Sequence, residues 1–290
     1  MDFAAGKAAN WHRGQPAPYN HLLLPEAQRD HLGVILVRPR NPLNMGAAAR
    51  AMANFGFQHL AVVAPYAPHW REARSAVGAP ELLQNARETA SLAEAVADCT
   101  LVVGTGTLTY RKAEQQVVQL PVLAPLVQRE LARGGRVAVV FGPEKHGLTR
   151  DDLSYCHALV EIPTDVRQPS MNLGQAVAVC LYELSSRAFS AVEELPAPHA
   201  AAEDSDSSTF APSGPTVPSG TLELLSGLIE ETMRAVGYSP RSMQAANRHD
   251  LRLLVRRLGL NPADTRRALG LFRRVLWRLK RLSERRNESG

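Results

Sequence analysis

The sequence predicts an α/β domain built on a parallel sheet, joined to a small basic domain made of helices alone. Three observations predict it. Short, continuous apolar runs alternate with helix-forming stretches through the first two thirds of the chain, the pattern of strands covered on both faces by crossover helices. Residues 193–220 then turn rich in Pro, Ser, Ala and Asp, too poor in large apolar groups to offset the entropy of ordering. Beyond them the segments have helical periodicity. From residue 221 onward 15 basic residues face 7 acidic ones, a net +8 in a chain whose whole charge is +5.

Residues 1–30 lack an apolar signal core and read as a loose extension. The LGVILV run at 32–37 is short enough for a buried strand, and the Ala-rich stretch 45–55 is a helix closed by Gly56. A second strand spans 59–64, stopped by Pro65. A helical pattern follows over 82–97, then a strand at 100–104, a helix over 121–133 ending at Gly134-Gly135, and a strand at 136–141. A short helix near 149–156, a strand at 158–162 and a long apolar helix over 170–189 complete a domain spanning 31–192. In the tail domain, 221–290, helices are expected over 221–236, 239–258 and 261–286, the last started by Asn261 and Pro262. Ligands of parallel sheets collect at the carboxyl ends of the strands, which directs attention to the loops after Val37, Gly104, Phe141 and Ile162.

Composition excludes several classes. No apolar run reaches the length of a membrane span. Cys99, Cys156 and Cys180 are far apart, with no CxxC pair, which argues against a disulfide framework or a cysteine zinc site and suits a reducing cytoplasm. There is no HExxH and no Cys/His cluster, so no metal is expected. Gly104-Thr105-Gly106 alone is a weak dinucleotide signal.

Three ordered motifs remain: NPLNMGAAARAM at 41–52, VVFGPEKHGLT at 139–149, and IPTDVRQPSMNLGQAVAVCLYEL at 162–184. In the first, Gly46 would let backbone approach a phosphate or ribose, the helix start would offer free N–H groups, and Arg50 would present a permanently charged fork; alone, Arg50 reads equally well as a surface arginine. In the second, Gly142 would admit a close ligand. Glu144 would accept loop N–H groups or pair with Arg50, or simply sit in solvent as most glutamates do. In the third, Ser170 and Asn172 are ordinary helix-capping types with a second task open to them.

Together the three motifs resemble those of the TrmH-like branch of the SPOUT RNA methyltransferases, over about residues 32–189, and the linker with a helical tail resembles the TrmJ group. The resemblance implies transfer of a methyl group from S-adenosylmethionine to an RNA ribose 2′-hydroxyl, in that group at nucleotide 32 of the tRNA anticodon loop. It implies a cofactor pocket lined by Thr105, Gly106, Thr107, Gly142, Ile162, Pro169, Ser170 and Met171, and a catalytic set of Asn44, Arg50, Glu144, Ser170 and Asn172. The family assigns the arginine the activation of the hydroxyl. A guanidinium with a pKa above roughly 12 is a poor base at neutral pH, so whether Arg50 takes the proton or positions phosphate and hydroxyl stays open. A trefoil knot and a homodimer are also implied. Arginines 248, 252, 256, 257, 266, 267, 273, 274, 278 and 281 recur at helical steps and could present cations to RNA phosphates, or could form a solvated exterior. Ribosomal RNA as substrate, and a non-catalytic RNA-binding protein that kept the fold, are the alternatives.

Overall fold

The computed structural model describes residues 24–106, 114–193, 216–238 and 241–288. In chain order the elements are α1 (Glu26–Arg29), β1 (Leu32–Val37), α2 (Pro42–Asn54), β2 (His59–Val63), α3 (Pro80–Gln84), β3 (Arg87–Thr89), α4 (Leu92–Ala95), β4 (Leu101–Thr105), β5 (Gln116–Gln119), α5 (Leu120–Ala132), β6 (Val137–Phe141), α6 (Arg150–Ser154), β7 (Ala158–Glu161) and α7 (Leu173–Glu193). The tail supplies α8 (Ser219–Ala235), α9 (Gln244–Arg257) and α10 (Pro262–Glu288).

The seven strands form one sheet in the order β3-β2-β1-β6-β4-β7-β5, and every pairing is parallel. Alternate residues of each strand point to opposite faces. Val34, Leu36, Val139 and Phe141 therefore pack under α2, α5 and α7 through Met45, Met52, Leu123, Val177 and Leu181. Ile35, Val37, Ala138 and Val140 pack on the other face with Leu92, Val96, Leu148 and Tyr155. Burial on both faces is why these strands are apolar throughout.

Several expectations need correction. The stretch 82–97 is not one helix: it breaks into α3, the edge strand β3 and α4, with Ser91 capping α4 by accepting from Glu94 N at 3.2 Å. The edge strands β3 and β5 add to the five strands expected. Residues 24–30, expected in the N-terminal extension, join the fold: Leu24 is buried in the main core and α1 follows it, while the rest of that expectation lies outside the described residues. Helix α2 begins at Pro42, three residues early, with Asn41 as its cap accepting from Leu43 N.

The connection also ends earlier than expected. Val217 is buried, Ser219 N donates to Cys99 O at 2.8 Å and Gly220 N to Ala97 O at 2.9 Å. The tail has its own core, built from Val217, Leu222, Leu225, Leu251, Val255 and Leu269. Arg252 and Arg256, read in the sequence as facing either RNA phosphates or solvent, are instead buried where α9 meets α6. Arg252 donates to Asp151 at 2.9 Å and Glu223 at 2.7 Å and lies 4.2 Å from the Tyr155 ring centre; Arg256 Nε donates to Tyr155 O at 3.1 Å. Arg248 pairs with Glu230 at 2.9 Å. Three of the ten arginines thus hold the tail together or to the sheet domain. Among the described residues no helix is long and apolar enough to cross a membrane.

Candidate functional site

A cleft of about 270 Å³ opens at the carboxyl ends of β4, β6 and β7. Thr105 and Gly106 form one wall, the loop Gly142–Leu148 a second, and Ile162, Thr164 and Pro169–Met171 a third, with Leu173 and Ala176 of α7 behind them. Of the expected cofactor residues, Thr105, Gly106, Gly142, Ile162, Pro169, Ser170 and Met171 all line this cleft; Thr107 lies outside the described residues. Thr105 Oγ1 donates to Val140 O at 3.0 Å, tying the ends of two strands together. Phe141 and Leu148 of the second motif add apolar surface, and Lys145 and His146 add polar groups; none of the four was among the expected site residues.

The two motif glycines serve the fold before any ligand. A Cβ on Gly142 would lie 2.3 Å from the backbone of Gly147 and Leu148, so the loop can close on itself only around glycine. A Cβ on Gly46 would meet Ser75 Oγ at 2.2 Å and Ala76 N at 2.7 Å. Gly46 is therefore a packing residue, buried inside α2 against the segment before α3, and not a point of phosphate approach.

At the mouth of the cleft three motif residues meet in one hydrogen-bonded chain. Asn172 Nδ2 donates to Asn44 Oδ1 at 2.9 Å, and Asn44 Nδ2 donates to Glu144 Oε1 at 2.9 Å. Glu144 also accepts from the backbone N–H groups of Asn41 at 3.1 Å and Arg40 at 3.2 Å. Asn172 meanwhile caps α7, accepting from Gly174 N at 2.9 Å, so the capping and site roles coexist in one side chain. Ser170 is exposed on the cleft wall and takes no part in the cap. The first two loops and the start of α7 are locked together by this chain.

Partial burial alone would raise the Glu144 carboxyl pKa. The hydrogen bonds from Asn44 and from the backbone of Glu144 itself, Asn41 and Arg40 outweigh it and hold the group below its ordinary value. Glu144 is thus a fixed anion that orients Asn44, a poor proton acceptor near neutrality. Of the two roles open to it, binding loop N–H groups is realised and pairing with Arg50 is not. Arg50 stands apart: it is exposed on α2, does not line the cleft, and forms no ion pair or hydrogen bond with the described residues.

Behind this chain lies a pair that the motifs did not reveal. Arg38, just past β1, makes a two-pronged contact with the buried carboxylate of Asp152, one prong measuring 3.2 Å and the other shorter. Asp152 also accepts from Thr149 N and Oγ1 at 2.7 Å, completing the capping box of α6. The sequence signal for the cap, Thr149-x-x-Asp152, is present; nothing in the sequence signals the reach of Arg38.

Glu114, His249 and Asp250 bring three potential metal-binding atoms within 4.8 Å of one another. Arg150 already engages both carboxylates, Glu114 at 2.9 Å and Asp250 at 3.5 Å. Ion pairing accounts for the cluster.

The profile of the SpoU rRNA Methylase family matches residues 31–182, just over half of the chain. The chain is 38% identical over 161 residues to the tRNA (cytidine/uridine/adenosine-2′-O-)-methyltransferase TrmJ of Pseudomonas aeruginosa, covering 53% of this chain and 60% of that protein. It is 37% identical over 158 residues to the tRNA (cytidine-2′-O-)-methyltransferase TrmJ of Methanocaldococcus jannaschii, covering 54% of this chain and 68% of the relative. The matched stretch thus takes in about two thirds or less of these relatives' own length. The crystal structure of TrmJ from Z. mobilis ZM4 superposes with a TM-score of 0.69 at 30% identity, over 84% of this chain and 98% of that one. That superposition extends well beyond the 31–182 block, into the helical tail.

Proposed function

The chain belongs to the SpoU rRNA methylase family, and from that membership we propose that it methylates a ribose 2′-hydroxyl of tRNA, at nucleotide 32 of the anticodon loop, using S-adenosylmethionine. The observation that carries this reading is the cleft at the ends of β4, β6 and β7, with the Asn172–Asn44–Glu144 chain fixed at its mouth. The relatives named as tRNA 2′-O-methyltransferases support the substrate class.

The cleft suits the cofactor chemically. Phe141, Leu148, Ile162 and Leu173 give apolar surface to flat and aliphatic parts, while three strand-end loops offer backbone groups and hydroxyls to polar ones. Bound there, S-adenosylmethionine would supply an electrophilic sulfonium methyl, and the reaction calls for no metal. What remains for the chain is to align the 2′-oxygen and stabilise the charge that develops as its proton leaves. Asn44, held at both ends of its amide, and Asn172 keep the loops in register beside that oxygen. Ser170 offers a hydroxyl on the cleft wall. Arg50, exposed on α2 outside the cleft lining and without a partner among the described residues, would engage phosphate and hydroxyl from the RNA side.

Residues 31–192 would then be the catalytic domain and 221–290 the RNA-contacting one. On α10 the exposed Arg273, Arg274, Arg278 and Arg281 have no carboxylate partner among the described residues, which supports phosphate contact there. The homodimer, the trefoil knot and a cytoplasmic setting belong to the same reading.

The test is nucleoside mapping by mass spectrometry of tRNA incubated with S-adenosylmethionine and protein, beside Arg50→Ala. We expect a 2′-O-methyl in the anticodon loop that falls at least about 100-fold with the variant, the order expected for losing a transition-state contact. Methylation of ribosomal RNA instead would keep the chemistry and overturn the substrate. No methylation of either RNA would leave only an RNA-binding role.

A further inference from the structure

Arg38 occupies a backbone conformation that a side chain ordinarily avoids, with φ at +46°. Nothing about an arginine favours that conformation, so the surroundings must impose it. Those surroundings are specific. Its N–H donates to Val63 O at 2.8 Å, and Pro39 O accepts from Tyr66 N at 3.1 Å, which fixes the loop from the β2 side. Its guanidinium crosses to Asp152, a carboxylate only 4% exposed. Arg40 and Asn41, two and three residues on, supply the N–H groups that hold Glu144. Asp152 is at the same time the residue that closes the start of α6, and so terminates the very loop that carries Glu144. One ion pair therefore links the two loops at their roots, while Glu144 links them at their tips.

We propose that Arg38, acting through Asp152, is a positioning residue that sets the loop after β1 against the loop after β6, and so places Glu144 and Asn44 for catalysis. The inference rests on the methyl-transfer reading for its kinetic consequence, though not for its structural one. Arg38 does not line the cleft. A bidentate arginine–carboxylate contact fixes distance and orientation together, which a single hydrogen bond does not.

Arg38→Gly is the decisive variant, because glycine adopts φ near +46° without strain, so the ion pair is lost and no clash is introduced. Three quantities are read beside wild type: kcat and KM for RNA methylation, the affinity for S-adenosylmethionine, and the titration of the Glu144 carboxyl by ¹³C NMR. We expect kcat to fall about 10- to 100-fold, as a shift of about 1 Å at a reacting centre would produce. Cofactor affinity should change less than about threefold, because Asp152 still caps α6 and the cleft walls remain. The Glu144 titration should move up toward the ordinary carboxylate range as its N–H donors drift. Arg38→Lys, restoring one prong of two, should recover part of both effects. A lowered melting temperature with unchanged kcat and unchanged Glu144 titration would overturn the proposal and leave Arg38 a purely structural residue. If wild type methylates no RNA, the functional reading fails by itself, and the Glu144 titration still decides whether Arg38 positions the loop.

Discussion

His157 stands just before β7, its Nδ1 accepting from Val102 N at 3.0 Å. Burial first, and the Arg256 charge second, push its pKa down to about 3. The ring is therefore neutral in the folded protein, with the proton on Nε2. A histidine depressed in this way resists protonation only while folded. Stability is fully present above the unfolded value of about 6.5, and is lost as pH falls below it toward the folded value, at up to about 1.4 kcal/mol per pH unit. His157→Asn, which retains an acceptor for Val102 N, should flatten the decline between about pH 6.5 and 4.5 in a series of urea melts. An unchanged slope would assign the acid sensitivity elsewhere. Residues of this kind are not legible in a sequence, because a lone histidine carries no mark of its burial. Asn44, Glu144 and Asn172 are legible, since their motifs are ordered and spaced. The Arg38–Asp152 pair is hidden because its members lie 114 positions apart and nothing in the composition around Arg38 announces a left-handed backbone. Gly46 misleads for a related reason: a glycine needed for helix packing and one needed for a ligand look the same in sequence.

At the scale of elements, the central strands are readable because burial on both faces makes them apolar without interruption. The edge strands are not. Arg87–Thr89 and Gln116–Gln119 are three and four residues long and largely exposed, so neither periodicity nor hydrophobicity separates them from loop. The break inside 82–97 does leave a trace, the Ser91-x-x-Glu94 capping signature, which the apolar spacing of Leu82, Leu83, Leu92 and Ala95 obscures. The arginine-rich tail misleads in the opposite direction, since spacing alone cannot tell an arginine that binds phosphate from one buried in an interface. The structure separates them. On α10, Arg273, Arg274, Arg278 and Arg281 stay exposed, with Arg274 and Arg281 stacked 4.4 and 4.9 Å from the Trp277 ring centre. Replacing these four arginines by Gln should weaken tRNA binding across sequences. The slope of log K against log salt should drop by about 3 to 4, at roughly 0.9 for each phosphate no longer neutralised. Filter binding at several salt concentrations measures it; an unaltered slope would move the RNA contact off this helix.

For the molecule as a whole, the docking of α8 and α9 onto the sheet domain matters more than the covalent connection between them. Arg252 joins Asp151 on one side to Glu223 on the other, and Arg256 reaches Tyr155. A protease site engineered after residue 205 should therefore, once cut, leave two fragments that elute together in size-exclusion chromatography. The same cut combined with Arg252→Glu, which places a third carboxylate beside Asp151 and Glu223, should release the tail; co-elution despite that charge reversal would place the binding energy in the remaining contacts, among them Arg256 to Tyr155 O and Ser219 N to Cys99 O. The strand order has a further consequence, for synthesis on the ribosome. Strands β1 and β4 share no edge until β6 is inserted between them, and β4 gains its second neighbour only with β7. A nascent chain that has just emitted Thr105 holds a three-stranded fragment and a lone apolar strand, both with open edges, and must wait for Val137–Phe141 to join them. The central strand β6 is translated after both of its neighbours, β1 and β4, so a stall before Val137–Phe141 emerges leaves their apolar edges open to other chains.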